Sequence, residues 1–164
     1  FLDMVRPGMA VIAVYSEQPF RTLGVLDLRP AVALRARVAF VKKLRAGDSA
    51  GSERAYMANQ DTWVATLPVG HTDGWPRAAA KGARVRINGN LYPVVASVSA
   101  SHTIVELGHA TNAYATDSPV KAGDIVTLFD WDEGSRPEDV SKDCGASVYD
   151  LTMHLNPLLP RKTI

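Results

Sequence analysis

The chain has 164 residues, 46% of them hydrophobic and 21% charged, with a formal net charge of +1 at pH 7. That is the profile of one ordinary globular domain with a proper core, marginal in length for two. The near-neutral balance gives no electrostatic ground for a nucleic-acid or membrane partner, and no apolar run is long enough to span a bilayer.

The chain begins with Phe1 and not Met, inside what reads as an element, so a piece of something longer is expected. No cationic start with an apolar core and a small-residue cleavage site is visible, which predicts no secretory signal and a cytoplasmic protein. Residues 34–44 (LRARVAFVKKL) alternate as one half-buried strand, with Leu34, Ala36, Val38 and Phe40 on the inner face and Arg35 and Arg37 on the outer. Residues 62–67 (TWVATL) form a second strand. Residues 84–98 form a hairpin, because Asn88-Gly89 supplies the two positive-φ residues that a tight two-residue turn needs. Strands over 102–107 and 124–129 complete a mainly-β chain, the last fed by the turn Lys121-Ala122-Gly123-Asp124. The long stretches 45–61 and 70–82 read as loops on this scaffold.

Two short helices close the chain. Arg136-Pro137-Glu138-Asp139-Val140 opens one, with proline and acids where the helix dipole favours them, and Gly145 ends it. Val148, Leu151, Thr152 and Leu155 then give one apolar face to a helix over 147–155. The one cysteine, Cys144, cannot form an internal disulfide and reads as a small helix residue, not a nucleophile. No metal is expected.

Five strings, taken in order, resemble the alanine racemase family. Residues 3–10 (DMVRPGMA) resemble its "MVRxGIA" string, and residues 34–56 match its first long strand and loop without a gap. Residues 70–77 (GHTDGWPR) resemble its "GYADGxxR" loop, and 93–107 its "P-V-V-G-R-V-C-M-D-Q" strand pair. Residues 120–129 and the segment ending near Pro160-Arg161 follow in the family's order.

The resemblance implies a carboxy-terminal Greek-key β-barrel domain over 19–164, with residues 1–18 ending an upstream (β/α)₈ barrel. It implies a pyridoxal-phosphate enzyme that interconverts L- and D-alanine as a head-to-tail homodimer acting on a small amino acid. The family's cofactor-holding lysine lies in the missing barrel, so this chain alone is expected to bind no cofactor covalently. By the same spacing the catalytic tyrosine of the family's "YGxxY" string falls on Ser52, while Tyr56 matches that string's second, non-catalytic tyrosine, read either as loop packing or as a re-routed base. His71 replaces the tyrosine of "GYADG". The substrate-carboxylate residues Met and Asp become Ala100 and Ser101. The phosphate-binding tyrosine near the carboxy terminus becomes Pro157, which offers neither a hydroxyl nor an N–H. Arg6 matches the arginine that donates to the pyridine nitrogen, and Met9 the residue whose N–H reaches the phosphate. Serine's hydroxyl is far less acidic than a phenol with its pKa of ~10. The resemblance therefore implies a racemase domain with weak or no activity, Tyr56 and His71 remaining as candidate second bases; the alternatives are action on another amino acid or a non-catalytic dimerisation or binding module.

Overall fold

A computed structural model describes residues 3–110 and 117–163. The core is one antiparallel sheet in the order β1-β9-β6-β7-β8-β5-β2. Its strands are β1 (Leu34–Arg37), β2 (Phe40–Leu44), β5 (Thr62–Leu67), β6 (Arg84–Ile87), β7 (Asn90–Val95), β8 (Thr103–His109) and β9 (Ile125–Phe129). A separate ribbon pairs β3 (Ser49–Ala50) with β4 (Tyr56–Met57).

The single strand expected over 34–44 is two. Val38 N–H donates to Asp124 O at 2.9 Å, on the β9 side, whereas Ala39 N–H donates to Thr66 O at 2.9 Å, on the β5 side. The chain thus changes neighbours within one residue, and β1 and β2 occupy opposite ends of the sheet. Because they are consecutive pieces of one bent chain, the sheet curls round and closes. The side-chain alternation also slips at the bend. Phe40, expected inward, is 58% exposed, and Leu44 is buried instead.

Strands β6, β7 and β8 run as a meander, and β9 returns beside β6, giving the order 9-6-7-8 of a Greek key. The β6–β7 turn uses Asn88 at φ 50° and Gly89 at φ 83°, as its sequence predicts. The stretch 45–61, expected as a plain loop, contains the β3–β4 ribbon; Gly47 N–H donates to Ala58 O and Ala58 N–H to Asp48 O, and these bonds pin its base. The barrel interior holds Leu67, Val85, Ile87, Val105, Val126 and Leu128, all fully buried. Inward-facing β-branched and leucine side chains at period 2 give the curled sheet its buried inner face.

Helices α2 (Pro137–Cys144) and α3 (Val148–Met153) cover one end, adding Val140, Cys144 and Leu151 to the core. Gly145, at φ 74°, turns the chain out of α2, and Ser147 caps α3 by accepting from Tyr149 N–H at 3.1 Å. Burial pushes the Cys144 thiol up, as suits an inert core sulfur. The amino-terminal segment forms a 3-10 turn over Gly8–Ile12 and a short helix α1 (Gln18–Thr22). It docks on α2 and α3 through a small cluster of Met9, Val14 and Val148. Tyr15 N–H donates to the buried Glu138 Oε1 at 2.8 Å. No helix among the described residues is long and apolar enough to cross a membrane.

Candidate functional site

The loop 70–75 lies against the turn 99–102 at one mouth of the barrel. His71 N–H donates to Ser99 O and Thr72 N–H to Ala100 O, both at 3.0 Å, and Thr72 Oγ1 donates to Ala100 O at 2.6 Å. The loop also braces itself: Gly70 N–H donates to Asp73 Oδ2 at 2.9 Å, and Trp75 N–H to Gly70 O at 3.2 Å. Asn156 ties in the carboxy-terminal tail, donating from Nδ2 to Thr72 O at 3.0 Å and from its N–H to Asp73 O at 3.1 Å. Two glycines allow this closeness. A Cβ on Gly70 would sit 2.5 Å from the Ala100 carbonyl carbon, and one on Gly74 would meet His154 O at 2.5 Å.

The turn 99–102 is itself stapled. Ser99 N–H donates to His102 O at 2.9 Å, and His102 N–H donates to Ser99 Oγ at 2.9 Å. Beside it runs the segment 51–55, where Gly51 passes so close to Ala96 that an added Cβ would lie 2.6 Å from that residue's methyl. Glu53 and Arg54 stand in the left-handed region at φ 56° and 57°. For residues other than glycine this costs about 1 kcal/mol each, a strain found most often where a loop is held for function. In the family's "YGxxY" string the position of Glu53 is glycine.

These three segments enclose a cleft of about 420 Å³ lined by Ser52, Glu53, His71, Arg77, Ser97 and Ala100, among others. The structure thus brings together Ser52, His71 and Ala100, residues far apart in the sequence. Ser101 adjoins them, exposed, its hydroxyl 2.9 Å from His102 Nδ1. Arg77, which the sequence reading did not single out, holds His71: its Nη2 lies 2.9 Å from His71 Nε2. A guanidinium only donates, so Nε2 accepts and the imidazole proton sits on Nδ1. Arg77 closes the "GYADGxxR" string, which marks the position but not the contact, since the pair is made by the 3-10 turns over His71–Asp73 and Arg77–Lys81.

Tyr56 does not line the cleft. It packs on the cluster of Leu44, Ala58 and Val64, and its hydroxyl donates to Glu106 Oε2 at 2.9 Å. Burial, then the hydrogen bond and charge of Glu106, push its pKa up to about 12. The sign follows from linkage. The folded phenol keeps its proton between pH 10 and about 12 while the unfolded one loses it, so this contribution to stability is complete below pH 10 and fades across that window. Denaturation followed from pH 9 to pH 12 is expected to show a stability loss that is smaller in Tyr56→Phe. An identical decline in both proteins would contradict the assignment.

Arg6 and Met9 lie elsewhere, on a second concave surface shared with Pro7, Gly8 and Tyr15. Pro157 is exposed on the tail beside Asn156. Among the described residues no group of His, Cys, Asp and Glu is placed to hold a metal ion.

Residues 31–163 match the family model described as alanine racemase, C-terminal domain. The chain is 37% identical over 151 residues to an alanine racemase of Chlorobaculum tepidum, covering 92% of this chain and 37% of that protein. It is 35% identical over 153 residues to one of Aeromonas hydrophila, covering 93% and 40%. Among solved structures, the alanine racemase of Streptomyces coelicolor A3(2) superposes with a TM-score of 0.81 at 26% identity, covering 97% of this chain and 40% of that one. That of Streptomyces lavendulae gives 0.79 at 27% identity, covering 94% and 39%. The chain spans about two fifths of the length of these relatives. On sequence and fold together, it belongs to the alanine racemase family as a C-terminal domain.

Proposed function

We propose that this chain is the β-domain of a pyridoxal-phosphate protein of racemase ancestry in which interconversion of L- and D-alanine is weak or lost. The observation that carries this is the make-up of the cleft, which gathers Ser52, His71 and Ala100 and has no tyrosine among the described residues of its lining. Racemisation needs a proton-transferring group on each face of the α-carbon. In the family the β-domain provides one of them as a phenol. Here Ser52 stands at that position, His71 spends its Nε2 lone pair on Arg77, and the Tyr56 hydroxyl is committed to Glu106. Losing one such group costs ~10²–10⁴ in rate.

The residues that would meet the cofactor fit it in part. Arg6 is exposed and has no hydrogen bond or ion pair with any described residue, so its guanidinium is available to an acceptor such as a pyridine nitrogen. Met9 lies in the first turn of the 3-10 segment, where N–H groups lack partners within the turn and suit a phosphate oxygen. Pro157 adds no donor. Pyridoxal phosphate, when bound, supplies the electron sink. This chain's share is to hold the ring through Arg6 and to donate from Met9 in one site and, since the cleft is a separate surface, to wall the substrate side of a second subunit's site.

An upstream barrel and a second subunit are the partners we propose. Their support is the apolar surface of the amino-terminal segment, where Val11, Leu23 and Val25 are 72%, 66% and 80% exposed. A second reading, action on another amino acid, draws on the place of His71 beside Ser52, where its Nδ1–H remains a donor.

Complementation tests the loss of alanine racemisation. A bacterium deprived of its own alanine racemases and supplied with the full-length protein is expected to keep its requirement for D-alanine. Growth without D-alanine would overturn the proposal.

A further inference from the structure

A groove between the start of β1 and the carboxy-terminal tail takes no part in the cleft above. It has two lobes of about 520 and 440 Å³, which share Ala31, Ala33, Leu34, Leu159, Pro160 and Lys162. Arg35 and Trp131 wall the first lobe and Arg161 the second, and no carboxylate among the described residues lines either. The floor is apolar, the rim cationic, and the size is that of a small-molecule site.

The cations are gathered more tightly than the overall charge of +1 would lead one to expect. The guanidinium carbons of Arg29 and Arg35 stand 5.4 and 5.3 Å from the centre of the Trp131 ring. Stacking on indole offsets part of the repulsion between them. The nearby acids are largely engaged. Asp130, almost fully buried, pairs loosely with Arg35 itself at 3.8 Å and so offsets part of that charge, and it accepts from Asp132 N–H; Asp132 pairs with Arg86 at 3.1 Å. Glu133 is exposed outside the groove lining. Neither Arg29 nor Lys162 has a carboxylate partner among the described residues.

We propose that this groove binds a small organic anion, its carboxylate or phosphate held by Arg35 and Lys162 and its apolar body resting on Leu34, Leu159 and Pro160. Stacking on Trp131 fixes the plane of the Arg35 guanidinium, which lowers the entropy lost when it receives a two-oxygen anion. The Trp131 indole reports occupancy.

The test is a titration of the 164-residue chain with phenyl phosphate, benzoate and inorganic phosphate. It is followed by the Trp131 indole NMR signal, assigned by its loss in Trp131→Phe. Phenyl phosphate, benzoate or both are expected to shift the signal saturably at millimolar concentration, more tightly than inorganic phosphate, and less so as salt is added. Which of the two binds identifies the anionic group. Lys162→Gln and Arg35→Gln, both at exposed positions, are each expected to weaken binding about fivefold, the scale of one partly solvated charge contact. No saturable shift with either organic anion, equal affinity for inorganic phosphate, or unchanged affinity in both variants would overturn the proposal.

Discussion

Gly70→Ala is expected to destabilise the fold by about 4 kcal/mol, although it adds a single methyl group. The backbone at Gly70 is extended, with φ −146° and ψ −163°, so conformational strain is not the reason. The methyl would lie 2.5 Å from the Ala100 carbonyl carbon and closer still to the carbonyl oxygens of Ser99 and Ala100. These oxygens receive the His71 and Thr72 N–H groups, so relief of the clash pulls two hydrogen bonds apart. Overpacking costs roughly 1–3 kcal/mol and each broken bond about 1 more. At ~2–4 °C per kcal/mol in a domain of this size, Tm should fall by about 8–16 °C. Thermal unfolding of the variant checks this. A fall of less than ~3 °C would show that the loop and the turn can separate freely.

Trp75→Ala is expected to cost about 3–5 kcal/mol, the range for removing the largest buried side chains. Trp75 is fully buried in the main core cluster, directly after the loop that carries His71. Its loss would leave a cavity beneath the cleft and loosen the site as well as the barrel. Trp75→Phe is expected to be much milder. The indole Nε1 is buried and has no hydrogen-bond partner among the described residues. Removing an unsatisfied donor returns about 1–3 kcal/mol, which offsets most of the lost volume. Urea denaturation of the two variants should therefore separate them by several kcal/mol. Equal losses would mean that the ring kept by phenylalanine does not fill the site.

Much of the barrel is legible in the sequence because its signals are local. Alternation marks the strands, Asn88-Gly89 marks the hairpin, and Pro137 and Gly145 bracket a helix. The bend at Val38–Ala39 is not legible, because it depends on which strand each half meets. Val38 answers to Asp124 and Ala39 to Thr66, partners far away along the chain. The exposure of Phe40 follows from that bend and from nothing in its own neighbourhood.

The site divides in the same way. Family spacing points to Ser52, His71 and Ala100, and the fold gathers all three at one cleft. Spacing is silent on what each side chain is doing there. Arg77 fixes the His71 tautomer through a contact made by two short turns, and Glu106 takes the Tyr56 hydroxyl from 50 residues away. Both contacts bear on function, because each engages a group that would otherwise be a candidate for proton transfer.

The most direct measurement is the α-proton exchange that accompanies inversion of L- or D-alanine in D₂O by the full-length protein with pyridoxal phosphate, alongside His71→Ala and Tyr56→Phe. The account predicts exchange slower than that of an active relative by at least ~10², the least expected for a missing acid/base group, and unchanged in either variant. Exchange at a relative's rate that disappears in His71→Ala or Tyr56→Phe would contradict it.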